Sequence, residues 1–268
     1  MRDILDEWFA EDVGRGDFTS KAVVENNNCE ARVTGGPGII SGLEIGCNLL
    51  KNHNIKFSTN YIDGNLITSS LIMTIIGKAH DVLATERLLL NILSHFSGIS
   101  THTNKIVKIV KKINSNVQIL ATRKTLPGLR EFEKKAVVHG GGSTHRMCLD
   151  DAILIKDNHL KLSKGIGESI RLSREKYPNL MLEVEADNEE QAIEIAKCGA
   201  DRVMLDNFTP EEARNATEKL RQISDIEIEI SGGINIENVA AYAKNADFIS
   251  LGSLTMSSKP VDFSLHVI

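Results

Sequence analysis

The stretch Leu180–Asp206, LMLEVEADNEEQAIEIAKCGADRVMLD, carries the repeating unit that decides the fold. Its apolar run Leu180–Val184 predicts a strand, Glu189–Cys198 an amphipathic helix and Arg202–Leu205 a second strand. A strand, helix and strand of these lengths make a right-handed crossover, so the two strands lie parallel. The same rhythm runs outward in both directions. Upstream, Val117–Ala121 and Ala152–Ile155 read as strands, with Glu131–Val138 and Gly167–Lys176 as helices. Downstream, Pro210–Ile223 reads as a helix with Pro210 in its first turn, Ile226–Ile230 as a strand, Ile236–Lys244 as a helix and Phe248–Leu251 as a strand. Six strands alternating with helices predict an α/β fold, an incomplete parallel α/β barrel, with a doubly wound sheet as the structural alternative.

The first third of the chain lacks this rhythm. Ala31–Thr34 and Ile39–Ser41 predict short strands around the turn Gly35-Gly36-Pro37-Gly38, and Leu71–Ile76 predicts another. A long helix is expected from about Asp81 to Ile113, with Gly98 marking either a break or a close packing point. With 268 residues, at about 150 per domain, one or two domains are expected.

Composition narrows the classes. Lys and Arg number 31 against 36 Asp and Glu, a net charge of −5, which argues against a bulk nucleic-acid binder but not against a local anion pocket. No apolar run approaches the ~20 residues of a membrane span. The acidic opening MRDILDEWFAEDVGRGD has no apolar signal core, so a cytoplasmic location is expected. Cys29, Cys47, Cys148 and Cys198 are scattered, without a C-x-x-C pair, and read as buried or partly buried free thiols.

The chemistry is written at the ends of the predicted strands. Val117–Ala121 runs into Thr122-Arg123-Lys124-Thr125, and Ile153–Ile155 into Lys156-Asp157-Asn158-His159. Leu182–Val184 ends in Glu185, Val203–Leu205 in Asp206-Asn207, Ile226–Ile230 in Ser231-Gly232-Gly233 and Ile249–Leu251 in Gly252-Ser253. In parallel α/β folds the site lies at the carboxyl ends of the strands, so these groups should converge. Arg123, Lys124, Lys156, His145 and Arg146 are cationic or able to become so, and Arg is a planar bidentate partner for carboxylate or phosphate. Glu185 and Asp206 could accept bonds from ribose hydroxyls or hold Mg²⁺ through oxygen. Ser231-Gly232-Gly233 and Gly252-Ser253 resemble backbone cradles for phosphate. Gly140-Gly141-Gly142 follows no clear strand and reads as a flexible loop that positions His145 and Arg146. The set predicts a pocket for a multiply anionic, phosphorylated small molecule. Phosphoryl transfer, phosphoribosyl transfer and aldolase-like carbon chemistry all remain open at this level, with a Schiff base as the rival role for Lys156.

These motifs together resemble the quinolinate phosphoribosyltransferase family. The similarity runs through Glu11–Asp17, Ala84-Thr85-Glu86-Arg87, Asn91 and Ser97-Gly98-Ile99. It is most specific over ATRKTLPGLREFEKKAVVHGGGSTHR, Ala121 to Arg146, and continues through Asp150–His159, Glu183-Val184-Glu185, Met204–Asn207 and Ile230–Ile234. The resemblance implies an N-terminal α+β open-faced sandwich-like domain over residues 1–103, joined by a returning C-terminal segment, 257–268, and a barrel domain over 104–256. It implies transfer of phosphoribosyl from phosphoribosyl pyrophosphate to quinolinate, with Mg²⁺ and loss of CO₂, in a homodimer or higher even oligomer.

Residue by residue, the resemblance assigns Arg123, His145, Arg146 and Lys156, with Arg87 from a neighbouring subunit, to the carboxylates of quinolinate. Lys124 would meet pyrophosphate or a substrate carboxylate. Glu185 and Asp206 would bind ribose and Mg²⁺, directly or through water, and with Lys156 form the catalytic set. Ser231, Gly232, Gly233, Gly252 and Ser253 would hold the 5′-phosphate. One departure is Met256, where the family commonly has a polar residue; a thioether is a poor partner for phosphate, and Ser257 could substitute. The rivals are a similar protein encoded with molybdate transporters and a non-catalytic regulator that binds phosphoribosyl pyrophosphate. The Lys156–His159 form and the full set of cations disfavour both.

Overall fold

The computed structural model describes residues 2–268, which divide into two compact units. The first comprises residues up to His102, Val138–Gly141 and Ser258–Ile268. In chain order it holds α1 (Arg2–Val13), α2 (Phe18–Val23), β1 (Asn28–Gly35), α3 (Leu43–Asn52), β2 (Lys56–Ser58), β3 (Leu71–Lys78) and most of α4 (Ala79–Lys111). The second, Thr103–Val137 with Gly142–Ser257, holds β4 (Gln118–Ala121), most of α5 (Arg130–His139), β5 (Ser143–Thr144), β6 (Ile153–Ile155), α6 (Asp157–Lys161) and α7 (Ile166–Lys176). It continues through β7 (Leu182–Ala186), α8 (Glu189–Cys198), β8 (Arg202–Asp206), α9 (Pro210–Ile223), β9 (Glu227–Ser231), α10 (Val239–Tyr242), β10 (Phe248–Leu251) and α11 (Ser253–Met256). The last strand, β11 (Phe263–Val267), lies in the first unit.

The first unit is built on a four-stranded sheet in the order β11-β1-β3-β2, with every neighbouring pair antiparallel. Alternation explains its core face: Ala31 and Val33 of β1 are fully buried, as is Ile75 of β3. Ile39–Ser41 is not a strand; Ile39 makes a single bridge to Leu66. Ile40 pairs with the backbone of Asn65 and Gly64, and small side chains of α4 serve its two neighbours. Thr101 Oγ1 accepts from Ile39 N–H, Ser97 Oγ accepts from Ser41 N–H, and Ser100 Oγ donates to the Ile39 carbonyl. Gly98 does not break α4. A Cβ there would stand 2.5 Å from the Lys259 carbonyl oxygen, so the residue marks close backbone packing.

The second unit is a curled parallel half-barrel of seven strands in the order β5-β4-β10-β9-β8-β7-β6. From β6 to β10 each strand neighbours the next in sequence, and β4 then follows β10. The order never reverses, which excludes the doubly wound alternative with its switch point. The ring stays open between β5 and β6. Local signals set the crossovers. Asn188 caps α8 by accepting from Gln191 N–H, and Gly199 ends that helix in the left-handed region at φ 85°. Thr209 and Glu212 form a capping box on α9, with Pro210 in the first turn.

Four expectations change. Strand β7 runs through Glu185 to Ala186, so Glu185 lies within the strand. The helix expected over Ile236–Lys244 shrinks to Val239–Tyr242, because the Asn235 side chain accepts from Glu237 and Asn238 N–H and Asn238 caps Asn235. Gly140-Gly141-Gly142 is a tight turn into β5 rather than a flexible loop. Gly142 N–H donates to the Val137 carbonyl, and a Cβ on Gly142 would press on Val137 at 2.7 Å. The four thiols are free, but Cys148 and Cys198 are exposed rather than buried.

Candidate active site

The carboxyl ends of the half-barrel strands open on a cavity of about 350 Å³, within the usual range for small-ligand sites. Arg123 and Lys124 reach it from the end of β4, His145 and Arg146 from β5, Lys156 from β6, Glu185 from β7, Asp206 from β8 and Ser231 from β9. Leu154 and Met204 provide apolar wall, and Thr122, Glu229 and Ser250 complete the lining.

Period two explains both the residues anticipated from sequence and those missed. Inward positions on one strand are two apart, so each mouth residue has a partner one step deeper. Glu185 stands above Glu183, Ser231 above Glu229, Asp206 above Met204, and Lys156 above Leu154. Reading only the strand ends found the mouth and overlooked the floor. The signal was present in the E-V-E of β7 and the E-I-S of β9, where polar residues sit at spacing two around a buried apolar one.

The floor is a buried ionic cluster. His145 Nδ1 accepts the N–H of Arg146 at 2.8 Å, so that nitrogen carries no proton. The other ring nitrogen, Nε2, therefore donates to Glu183 Oε2 at 2.6 Å. Glu229 Oε2 is 3.7 Å from the same Nε2 and 3.3 Å from Arg202. Burial holds the His145 ring below its ordinary pKa, against the pull of Glu229. Of the two states the sequence left open for this ring, the geometry favours the neutral one: both nitrogens are engaged, so His145 lines the cavity without adding to its cations. Glu183 and Glu229 are both pushed upward, first by burial, and Glu229 further by the charge of Glu183. Each leaves Oε1 buried without a donor, while the two carboxyls lie within hydrogen-bonding reach. Arg202 opposes the upward shift of both carboxyls, and the Ser250 side chain opposes that of Glu229. His145, Glu183 and Glu229 also place three donor atoms within 4.8 Å of one another, with the Arg202 guanidinium 3.3 Å from Glu229.

The mouth carries the free charge. Arg123 keeps Nε buried with no partner, a donor awaiting an acceptor. Arg146 Nη1 donates to the Ala152 carbonyl, and burial and then Arg123 pull its pKa down, although a guanidinium remains charged. Lys156 Nζ donates to Glu185 Oε2 at 3.1 Å. Glu185 is held above the ordinary carboxylate range by burial, against Lys156, with Asp206 also raising it. Two adjacent carboxyls of this kind suit a cation or sugar hydroxyls. Lys156 is 43% exposed and ion-paired, unlike the desolvated lysine a Schiff base needs.

The glycines have separate reasons. Gly232, at φ 89°, packs so tightly on Asn207 that a Cβ would come within 2.5 Å of its backbone nitrogen. Gly233 shares the left-handed region at φ 61°. Gly252 meets the Lys124 side chain, where a Cβ would stand 2.9 Å from Cδ. Ser253 Oγ is buried and without a partner. These four flank Ser231 and Lys124 at the mouth without lining the cavity. Arg87 lies on α4 in the first unit, exposed, with no hydrogen bond or ion pair among the described residues. Met256 is exposed.

An open parallel half-barrel with basic side chains and paired carboxylates at its strand ends defines a binding site for phosphorylated, carboxylated small molecules. Comparison with known proteins makes the class specific. The profile of the quinolinate phosphoribosyl transferase N-terminal domain matches residues 17–97, and that of the C-terminal domain residues 99–266. A probable nicotinate-nucleotide pyrophosphorylase (carboxylating) of Methanothermobacter thermautotrophicus is 37% identical, over 100% of this chain and 99% of the relative. The human nicotinate-nucleotide pyrophosphorylase (carboxylating) is 31% identical, over 98% and 90%. The solved nicotinate-nucleotide pyrophosphorylase of Francisella tularensis superposes with a TM-score of 0.93 at 33% identity, covering 99% of this chain and 95% of that one. The chain belongs to the quinolinate phosphoribosyltransferase family.

Proposed function

We infer that this protein is a nicotinate-nucleotide pyrophosphorylase (carboxylating). It transfers phosphoribosyl from phosphoribosyl pyrophosphate to quinolinate, giving nicotinate mononucleotide, pyrophosphate and CO₂, a step of NAD biosynthesis. The observation that carries the reading is the convergence of Arg123, Lys124, Arg146 and Lys156 with Glu185 and Asp206 on one cavity.

In this reading Arg123 and Arg146 bind the two carboxylates, with Lys156 beside them. Leu154 and Met204 face the pyridine ring. Glu185 and Asp206 accept from the ribose hydroxyls and stabilise positive charge at the anomeric carbon as its bond to pyrophosphate breaks. The ring nitrogen forms the new bond and becomes cationic. It then draws in the electron pair of the adjacent C–CO₂ bond, and a proton replaces the lost carboxylate. Transfer therefore precedes decarboxylation. Lys124, Ser231 and the Gly232-Gly233 and Gly252-Ser253 turns serve the phosphates.

Glu185 and Asp206 would hold Mg²⁺, directly or through water. The ion would neutralise charge on the departing pyrophosphate; the mutual repulsion of the two carboxyls fits a cation there. A homodimer, in which Arg87 of a second copy adds to the dicarboxylate set, is supported by the exposed, unpaired state of that side chain. Among the described residues no helix is long and apolar enough to cross a membrane, which accords with a cytoplasmic enzyme.

Incubation with quinolinate and phosphoribosyl pyrophosphate should release CO₂ and nicotinate mononucleotide in equal amounts. Calorimetry should rank quinolinate and phthalate above nicotinate; nicotinate bound as well as quinolinate would overturn the substrate assignment.

A further inference from the structure

Lys134 on α5 is the one lysine among the largest fully buried side chains, 1% exposed, and it does not line the cavity. Its ammonium donates to two successive carbonyls, His145 O at 2.8 Å and Arg146 O at 2.6 Å. The first of these belongs to the peptide unit whose N–H is that of Arg146, and that N–H donates to His145 Nδ1. The 145–146 peptide is therefore held at both ends, by an ammonium at the oxygen and by the ring at the nitrogen. The ring is fixed in turn by Glu183. A chain of hydrogen bonds thus runs from α5 through the loop to β7.

Two neighbours on the same helix extend the grip. Arg130 donates from Nη1 to the Met147 carbonyl and from Nε to Thr125 Oγ1. Glu133 Oε2 accepts from Leu126 N–H. Spacings of three and four put these groups on one face of the helix. That face holds both loops that present cations to the cavity, Thr122–Leu126 and His145–Met147.

We propose that Lys134 is a positioning residue for dicarboxylate binding: its ammonium fixes the His145–Arg146 backbone so that Arg146 and the His145 ring meet the substrate in one arrangement. The proposal rests on the quinolinate reading above. A buried ammonium held by two carbonyls is costly to place, and among the described residues it makes no ion pair of its own, as expected of a group kept for geometry. Burial, and then Arg130, bring its pKa down to about 8, with Asp151 opposing and Arg123 and Arg146 assisting. Its charge is therefore lost within an accessible pH range.

The test is calorimetry on Lys134→Met, which keeps the stem and removes the donors, and on Lys134→Gln, which restores one. Wild type and both variants are titrated separately with quinolinate and with phosphoribosyl pyrophosphate. Quinolinate Kd should rise about tenfold to a hundredfold in Lys134→Met, the scale expected of a displaced binding group, and less in Lys134→Gln. Phosphoribosyl pyrophosphate Kd should stay within about twofold. Should neither variant fold, wild type supplies the readout: quinolinate Kd should rise in step with deprotonation of the Lys134 ammonium, followed by NMR of lysine-labelled protein. Equal weakening of both ligands, an unchanged quinolinate Kd in the variants, or a flat Kd across that titration would overturn the proposal. Failure of wild type to bind quinolinate would overturn the functional reading, and this inference with it.

Discussion

His145 Nε2 donates to Glu183 Oε2 at 2.6 Å while Nδ1 of the same ring accepts from the Arg146 backbone, so the histidine is committed at both nitrogens. A second proton on the ring would break the bond from Arg146. His145 should therefore stay neutral, in the Nε2–H form, to a pH below its ordinary 6.5. Nitrogen-detected NMR should show one tautomer and no titration near 6.5; a doubly protonated ring at pH 6.5 would contradict this geometry. The lowered folded pKa also means that stability falls as pH drops through the unfolded value, where only the unfolded ring gains a proton.

Lys156 lies at the mouth, 43% exposed, so its loss should leave the fold intact. Lys156→Ala should lower kcat by at least about 10²–10³, the scale of removing one preorganised charge contact, with the melting temperature nearly unchanged. Near-normal turnover would remove Lys156 from the site. Arg87→Ala should also be inactive. If each site borrows Arg87 from a second copy, mixed assemblies of Arg87→Ala and Lys156→Ala chains should regain activity that neither variant shows alone.

Glu229 is fully buried and holds its proton to about 7 rather than 4.5. A carboxyl with a raised folded pKa contributes stability below the unfolded value and loses it as pH rises through the folded one. Relative to wild type, Glu229→Gln should thus become more stable as pH rises from 4.5 to 8. Denaturant unfolding at several pH values should show the difference change by about 1–3 kcal/mol. A difference independent of pH would show that the carboxyl is ionised throughout.

Gly98→Ala carries the better helix former in the middle of α4, worth about 1 kcal/mol in an isolated helix. The new methyl would meet the Lys259 carbonyl at 2.5 Å and Pro260 Cα at 3.0 Å, both backbone atoms. Overpacking should win, and the variant should lose about 1–3 kcal/mol of stability, read as a lower melting temperature.

What the sequence determined by itself was the periodic part. Apolar runs separated by capped amphipathic helices, as in Leu180–Asp206, force parallel crossovers, and parallel strands bring their carboxyl ends to one mouth. Arg123, Lys124, Lys156, Asp206 and Ser231 could be placed there because each follows such a run. Short segments carried no comparable signal: β5 is two residues, Ser143–Thr144, and Ile39–Ser41 has strand composition but divides its bonds between α4 side chains and the Gly64–Asn65 backbone. Only the tertiary structure decided the tautomer of His145, the raised pKa of Glu183 and Glu229, and the hold of Lys134 on the His145–Arg146 backbone. Those properties depend on burial and on partners far apart in the chain, such as Glu183 and Glu229 on β7 and β9. A linear pattern records which residues are charged, but the surrounding fold decides which of them keep that charge and which spend it holding the others in place.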